Sequence, residues 1–315
     1  MTAALLDLLP AIAAREAADP EAYPALSVSD LYVANIPAMP FPPAMGGTGA
    51  SCRDATEAIE LLATASPSLA LMLSMPLGFA GMVAMDIAAP DAEWQRRWLA
   101  QKELVAKDFA AGRIYAACNS EKGAGGSLAA TKTVAAKDSA GVFRLTGEKI
   151  LASSGRNASV FFSTAKADPG ELPGTGVVEF FLVDVDQQGV TVLDDWNGFG
   201  MRSSESQSVV YDGAPASGIV GFPDFIARTG PLQYFFCLFA AIPLGCAKTI
   251  LDALGKPAPS SPAVRLRLAE AQMRYEALRA YLHETAGQFR PAAGPAYANR
   301  VMRTKTYVTQ EATKL

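Results

Sequence analysis

The chain has 315 residues, half of them hydrophobic and 18% charged, which is too apolar for disorder and long enough to bury a core in about two domains. A net charge of -4 supplies no basic stripe for a phosphate backbone, so nucleic acid is not an expected partner. Four scattered cysteines (Cys52, Cys118, Cys237 and Cys246) and one histidine, His283, contain no CxxC pair and no zinc-type ligand set, and the cysteines are expected to be reduced, buried thiols.

The first segment, MTAALLDLLPAIAARE, is amphipathic and lacks the basic start of a signal peptide, which points to the cytoplasm. It predicts a helix over Ala4–Ala18. After the proline-rich stretch Pro37–Pro43 and the turn at Gly46 and Gly47, a second helix is expected over Asp54–Ala65, with Leu61 and Leu62 on its apolar side. Ser66 then suits an N-cap and Pro67 a first helical turn. A further helix over Asp91–Ala111 carries Trp94, Trp98 and Leu99 at helical spacing, and the tryptophans read as core anchors. Two apolar runs, Leu69–Met85 and Leu232–Ala247, are broken by serine, glycine, glutamine or proline and fall short of the ~20 clean residues that span a bilayer. They are expected to be buried helices, with no membrane involved.

From Arg113 the texture changes to short runs rich in Val, Phe, Thr and Tyr, separated by turn residues. Strands are expected at Thr131–Ala136, Val142–Thr146, Val160–Thr164, Val177–Val183, Val190–Leu193 and Ser208–Tyr211. No helix-length pattern lies between them, which argues for a sandwich or barrel and against βαβ units. Helices return in Leu232–Leu254, Ala263–Thr285 and Ala298–Leu315, the first two separated by a linker containing Pro257, Pro259 and Pro262. The expected fold class is α+β: an N-terminal helical domain (1–112), a middle β-sandwich or barrel domain (113–222) and a shortened C-terminal helical bundle (223–315).

The segment Tyr115–Ser127, YAACNSEKGAGGS, concentrates the chemistry. Its glycines permit close backbone approach to a ligand, although on composition alone it reads equally as a surface loop. It is followed in order by GEKILASS (147–154), FFLVD (180–184) and GFGMRSS (198–204). That succession resembles the flavin-binding middle domain of the acyl-CoA dehydrogenase family, which reads roughly TEPGAGSD, GxKxWITN, FLV and GMRxS. The likeness covers nearly the whole chain, since the family also places helices before and after this β domain.

The resemblance implies a bound flavin. Cys118 and Asn119 match positions whose backbone faces the pyrimidine ring, and Ser120 matches a threonine that bonds it. Gly126 and Ser127 match the close of the glycine turn, where phosphate lies. Leu151 and Ala152 lead to Ser153, which matches the threonine that reaches flavin N5. Arg202 is expected to be structural and partly buried.

Four departures qualify this. The family's aromatic residue over the flavin is Leu151, and the proline after the glutamate is Lys122. The RxxFG-like motif that grips a neighbouring subunit's FAD is absent, its place taken by the proline linker. FAD is the expected cofactor, with FMN second. No catalytic carboxylate is found: Pro231–Cys237 contains no acid, and the chain ends at Leu315, so the catalytic residue stays unassigned. The leading reading is an FAD-dependent acyl-CoA dehydrogenase, acting on an acyl-CoA, passing electrons to an electron-transfer flavoprotein, and forming a homodimer or homotetramer. The alternatives are a flavin-dependent monooxygenase on the same scaffold, using reduced flavin and oxygen, and a non-catalytic interaction subunit.

Overall fold

The first third is helical, with α1 (Thr2–Ala18), α2 (Ala25–Val33), α3 (Cys52–Ala65), α4 (Pro67–Val83) and α5 (Ala92–Ala110), the last three started by side-chain caps. The computed structural model describes residues 2–125, 127–168, 170–172 and 178–315. At α3, Ser51 Oγ accepts from Asp54 N while the Asp54 carboxylate accepts from Ser51 N, a reciprocal capping box. Ser66 Oγ accepts from Leu69 N at 3.1 Å and starts α4, with Pro67 in its first turn, as expected. Asp91 caps α5 through Trp94 N. The sequence reading missed α2, a nine-residue helix behind Pro24 with no side-chain cap. Trp98 is fully buried, but Leu99, one residue further round α5, faces solvent.

Eight strands follow among the described residues: β1 (Tyr115–Ala117), β2 (Val134–Lys137), β3 (Phe143–Ala152), β4 (Val160–Ala167), β5 (Val178–Asp184), β6 (Val190–Val192), β7 (Gln207–Pro215) and β8 (Gly218–Ile219). They form one sheet in the order β6-β7-β3-β2-β4-β5-β8, with β1 also on β4. Cys118, Leu145, Phe161, Phe181, Val209 and Tyr211 meet in a single core, so the sheet curls around its own inner face. β3 runs six residues past the expected Thr146 because Gly147–Lys149 pair with Tyr211–Val209 of β7. The polar GEK sequence hides that continuation.

The chain closes with α6 (Phe225–Thr229), α7 (Leu232–Leu254), α8 (Pro262–Gly287) and α9 (Gly294–Ala312). By length and composition α7 could cross a membrane, yet 61% of its most apolar window is buried among α3, α4, α8 and α9. One core joins these helices to α1. A second packs α4 and α5 on the outer face of the sheet, where Phe79 stacks on Tyr115 and lies tilted against Phe162, each at 4.8 Å. Of the cysteines, three are buried and Cys246 is half-buried; all are free thiols.

His283 is buried and bonds Glu60 on α3, with Nε2 and Oε2 2.6 Å apart. Burial raises the Glu60 pKa, but His283, Tyr275 and Arg279 together hold it below its ordinary value. This polar cluster fastens α8 to α3.

Glu179 of β5 is the opposite case. It is buried and accepts from Asp224 N, and its Oε2 has no hydrogen-bond partner among the described residues. Burial first, and the neighbouring Asp224 charge, push its carboxyl up from 4.5 to about 7. A raised folded value means that its contribution is complete below pH 4.5 and is lost as pH rises through about 7. Glu179→Gln should therefore flatten the pH dependence of stability, leaving the variant more stable than wild type at pH 8. Urea unfolding at pH 5 and pH 8 checks this; parallel losses in both proteins would contradict it.

Candidate active site

The glycine turn begins where a strand is missing. β1 pairs in parallel with Val160–Phe162 of β4, and β2 pairs in parallel with Lys166 and Ala167 of the same strand. Between them the chain leaves the sheet, and the β4 backbone around Thr164 loses its neighbour on that side. Side chains replace it. Thr164 N donates to Asn119 Oδ1 at 2.9 Å, and Lys149 Nζ donates to Thr164 O at 2.6 Å.

Lys149 also pairs with Glu121 of the turn, with Nζ and Oε1 2.7 Å apart and side-chain exposures of 0% and 3%. Glu121 further accepts from Thr133 N and Thr133 Oγ1 at the same Oε1 and from Lys132 N at Oε2, so both oxygens are tied to the wall. Burial raises its pKa, yet Lys149 and the Thr133 and Lys132 donors bring it down to about 2. Burial pulls the Lys149 ammonium down, with Glu121 opposing. Gly147, at φ +152°, makes room for this: a Cβ there would stand 2.6 Å from Thr133 Oγ1. Gly125 serves differently. Its φ of +58° needs glycine, but a Cβ would meet no atom of the chain within 4 Å. The expected steric role for the turn glycines is thus conformational at this position.

Beside the turn lies a cavity of about 210 Å³. Asn119, Ser120, Ser127 and Leu151, all expected site residues, line it. Ser120 and Ser127 are exposed, and neither hydroxyl has a hydrogen-bond partner among the described residues. Leu151 holds φ +60° at a break in the β3–β7 register, a conformation leucine adopts only at a cost. Cys118 and Ala152 instead face the inner core, where burial pushes the Cys118 thiol up to about 11. Ser153 is buried, 3.0 Å from Ser206 Oγ, which in turn bonds Ser204 of the GFGMRSS motif. Gly126 lies outside the described residues. Arg202 departs from expectation: it is exposed and pairs with Glu21 at 3.0 Å.

The opposite wall is aromatic and largely unforeseen. Phe162 and Phe180 come from β4 and β5; Phe235, Phe236 and Phe239 come from one face of α7, with Met75 from α4. Their spacing along α7 was legible, but not which way that face points. Glu121 is the one carboxylate among the described lining residues, and its oxygens are committed to Lys149, Thr133 and Lys132. A larger groove of about 520 Å³ lies around Tyr23 and Tyr32 and touches no residue of the turn.

Residues 116–214 match the model of the acyl-CoA dehydrogenase middle domain. Butyryl-CoA dehydrogenase from Megasphaera elsdenii superposes with a TM-score of 0.76 at 19% identity, covering 100% of this chain and 87% of that one. The chain has the fold of the acyl-CoA dehydrogenase family. Within this acyl-CoA dehydrogenase fold, curated relatives include L-evernosamine nitrososynthase of a Micromonospora strain, 31% identical over 61% of this chain and 42% of that protein. Another is the amino sugar nitrososynthase DnmZ of Streptomyces peucetius, 27% identical over 75% and 58%. The chain thus spans about half the length of these relatives. TdsC from Paenibacillus sp. A11-2, solved with FMN and indole, has a TM-score of 0.81 at 20% identity, covering 99% of this chain and 83% of that one.

Removing one partner of a buried pair leaves an uncompensated charge, so Lys149→Met should cost about 3 to 5 kcal/mol in urea unfolding at pH 7. Adding Glu121→Gln should recover most of the loss. Glu121 has a depressed folded pKa, so the stability it provides is full above 4.5 and lost as pH falls through about 2. The gap between wild type and Lys149→Met should accordingly narrow in that window. A loss under about 1 kcal/mol at pH 7, typical of an exposed pair, would contradict this account.

Proposed function

We propose that this chain carries the flavin site of a flavin-dependent monooxygenase, with FMN supplied in reduced form by a partner reductase. The observation that carries the reading is the state of Glu121. Removing an α proton from an acyl thioester needs a free, positioned base, and the carboxylate among the described lining residues is held ionised inside the wall by Lys149, Thr133 and Lys132. Oxygen insertion makes no such demand. The nitrososynthase relatives and the solved TdsC, a dibenzothiophene monooxygenase, support the same direction over the expected dehydrogenase. FMN is favoured over FAD because the RxxFG-like motif is absent and TdsC was solved with FMN.

The residues suit an uncharged ring edged with alternating nitrogen and oxygen. Ser120 and Ser127 offer free hydroxyls that donate or accept, Asn119 offers backbone, and Leu151 offers an aliphatic face. When bound, reduced flavin gives two electrons to dioxygen, one oxygen atom entering the substrate and the other leaving as water. The chain's own contribution is to hold that ring through the turn and to exclude water with the phenylalanine wall.

The test supplies enzymatically reduced FMN, labelled dioxygen and candidate substrates. Product carrying one labelled oxygen atom is expected, and Ser120→Ala should weaken FMN binding roughly 2- to 10-fold, the worth of one hydrogen bond. Anaerobic bleaching of bound flavin by an acyl-CoA, with enoyl product, would overturn the reading in favour of dehydrogenation.

A further inference from the structure

The cavity wall carries information about what it encloses. Phe180 meets Phe162 edge to face at 5.9 Å, Phe162 meets Phe235 at 5.8 Å, and Phe235 meets Phe239 at 6.3 Å. Four rings from two strands and one helix thus form a continuous chain along one side of the space. The Lys305 ammonium lies over the Phe236 ring, 4.7 Å from its centre. The polar lining residues are Asn119, Ser120, Glu121, Ser127 and Thr131, from the turn and the segment after it, and Glu121 among them is tied to Lys149.

We infer that the substrate is an uncharged, planar aromatic compound of one or two fused rings, seated against Phe162, Phe180, Phe235, Phe236 and Phe239. The inference rests on the monooxygenase reading for the oxygen it would receive, but the binding preference follows from the wall itself. Asn119, Ser120, Ser127 and Leu151 are assigned above to the flavin ring, which leaves the side of the space against the phenylalanines for the substrate. Ring-on-ring contacts add about 0.5 to 1.5 kcal/mol per pair beyond the area they bury, a gain that an aliphatic chain does not share. A sugar would bring hydroxyls to a wall with no partner for them, at about 1 to 3 kcal/mol for each one left unbonded. No lysine or arginine is among the described lining residues, so a diphosphate has no counter-charge inside the cavity.

The probes are indole, dTDP and butyryl-CoA, titrated against the purified protein with and without oxidised FMN and followed by ligand-observed NMR. Indole should bind in both states, and neither of the others should compete with it. Phe236→Ser should weaken indole at least 10-fold, whereas Phe236→Tyr, which keeps the ring, should stay within about 3-fold. If Phe236→Ser unfolds, Phe239→Ser replaces it and the same loss is expected. Binding of dTDP or butyryl-CoA in the cavity, with none of indole, overturns the inference. Oxygenation of a non-aromatic substrate would also overturn it while leaving the monooxygenase reading intact. Indole binding without any labelled product from any ring compound would sink the monooxygenase reading and leave the preference for rings standing.

Discussion

The buried ion pair between Glu121 and Lys149 is the contact on which the site depends. It joins the glycine turn to the middle of β3, and through Lys149 and Thr164 O it also closes the gap in the sheet that the turn creates. A buried pair of this kind adds little to stability relative to an apolar replacement; its role is to specify where things sit. Here that means one conformation of residues 119–127 beside one edge of the sheet. The acid is spent on architecture, and for that reason it is withheld from proton transfer.

The rest of the site follows from how the layers are stacked. The curled sheet presents Phe162 and Phe180 on its outer face, and α4 and α7 pack over that face from chain segments before and after it. Neither the strands nor the helices alone enclose the space. Leu151 sits at the junction, held in left-handed backbone at the register break that also brings the serines of 153–154 against those of 203–206. The strain at Leu151 is therefore supported by the cross-links on either side of it.

Much of the scaffold was legible from local chemistry. Ser66 announces its helix because capping is a short-range matter, and the strand runs announce themselves through β-branched and aromatic residues. The glycine turn and Leu151 were also found. What was not legible depended on distant contacts. Lys149 looks like a solvated charge in a strand, Glu121 like the tip of a loop, and only their meeting across 28 residues removes both from solvent. His283 likewise gives no local sign of its partner, since Glu60 lies 223 positions away. Arg202 failed in the other direction: flanking serines and Phe199 suggested burial, but Phe199 itself is fully exposed. Phe235, Phe236 and Phe239 were visible as an apolar stripe, with no local sign of whether it faced core or cavity.

The central claim is that the buried pair holds the turn in the form that accepts a flavin. The most direct test is FMN affinity of a Glu121→Ala/Lys149→Met variant, in which both charges and the carboxylate acceptors are gone, titrated at a temperature where circular dichroism shows it folded. The account predicts FMN binding at least about 10-fold weaker than wild type, because the free Lys132 and Thr133 amides no longer anchor the turn. Affinity within about 2-fold of wild type in a folded variant would contradict it.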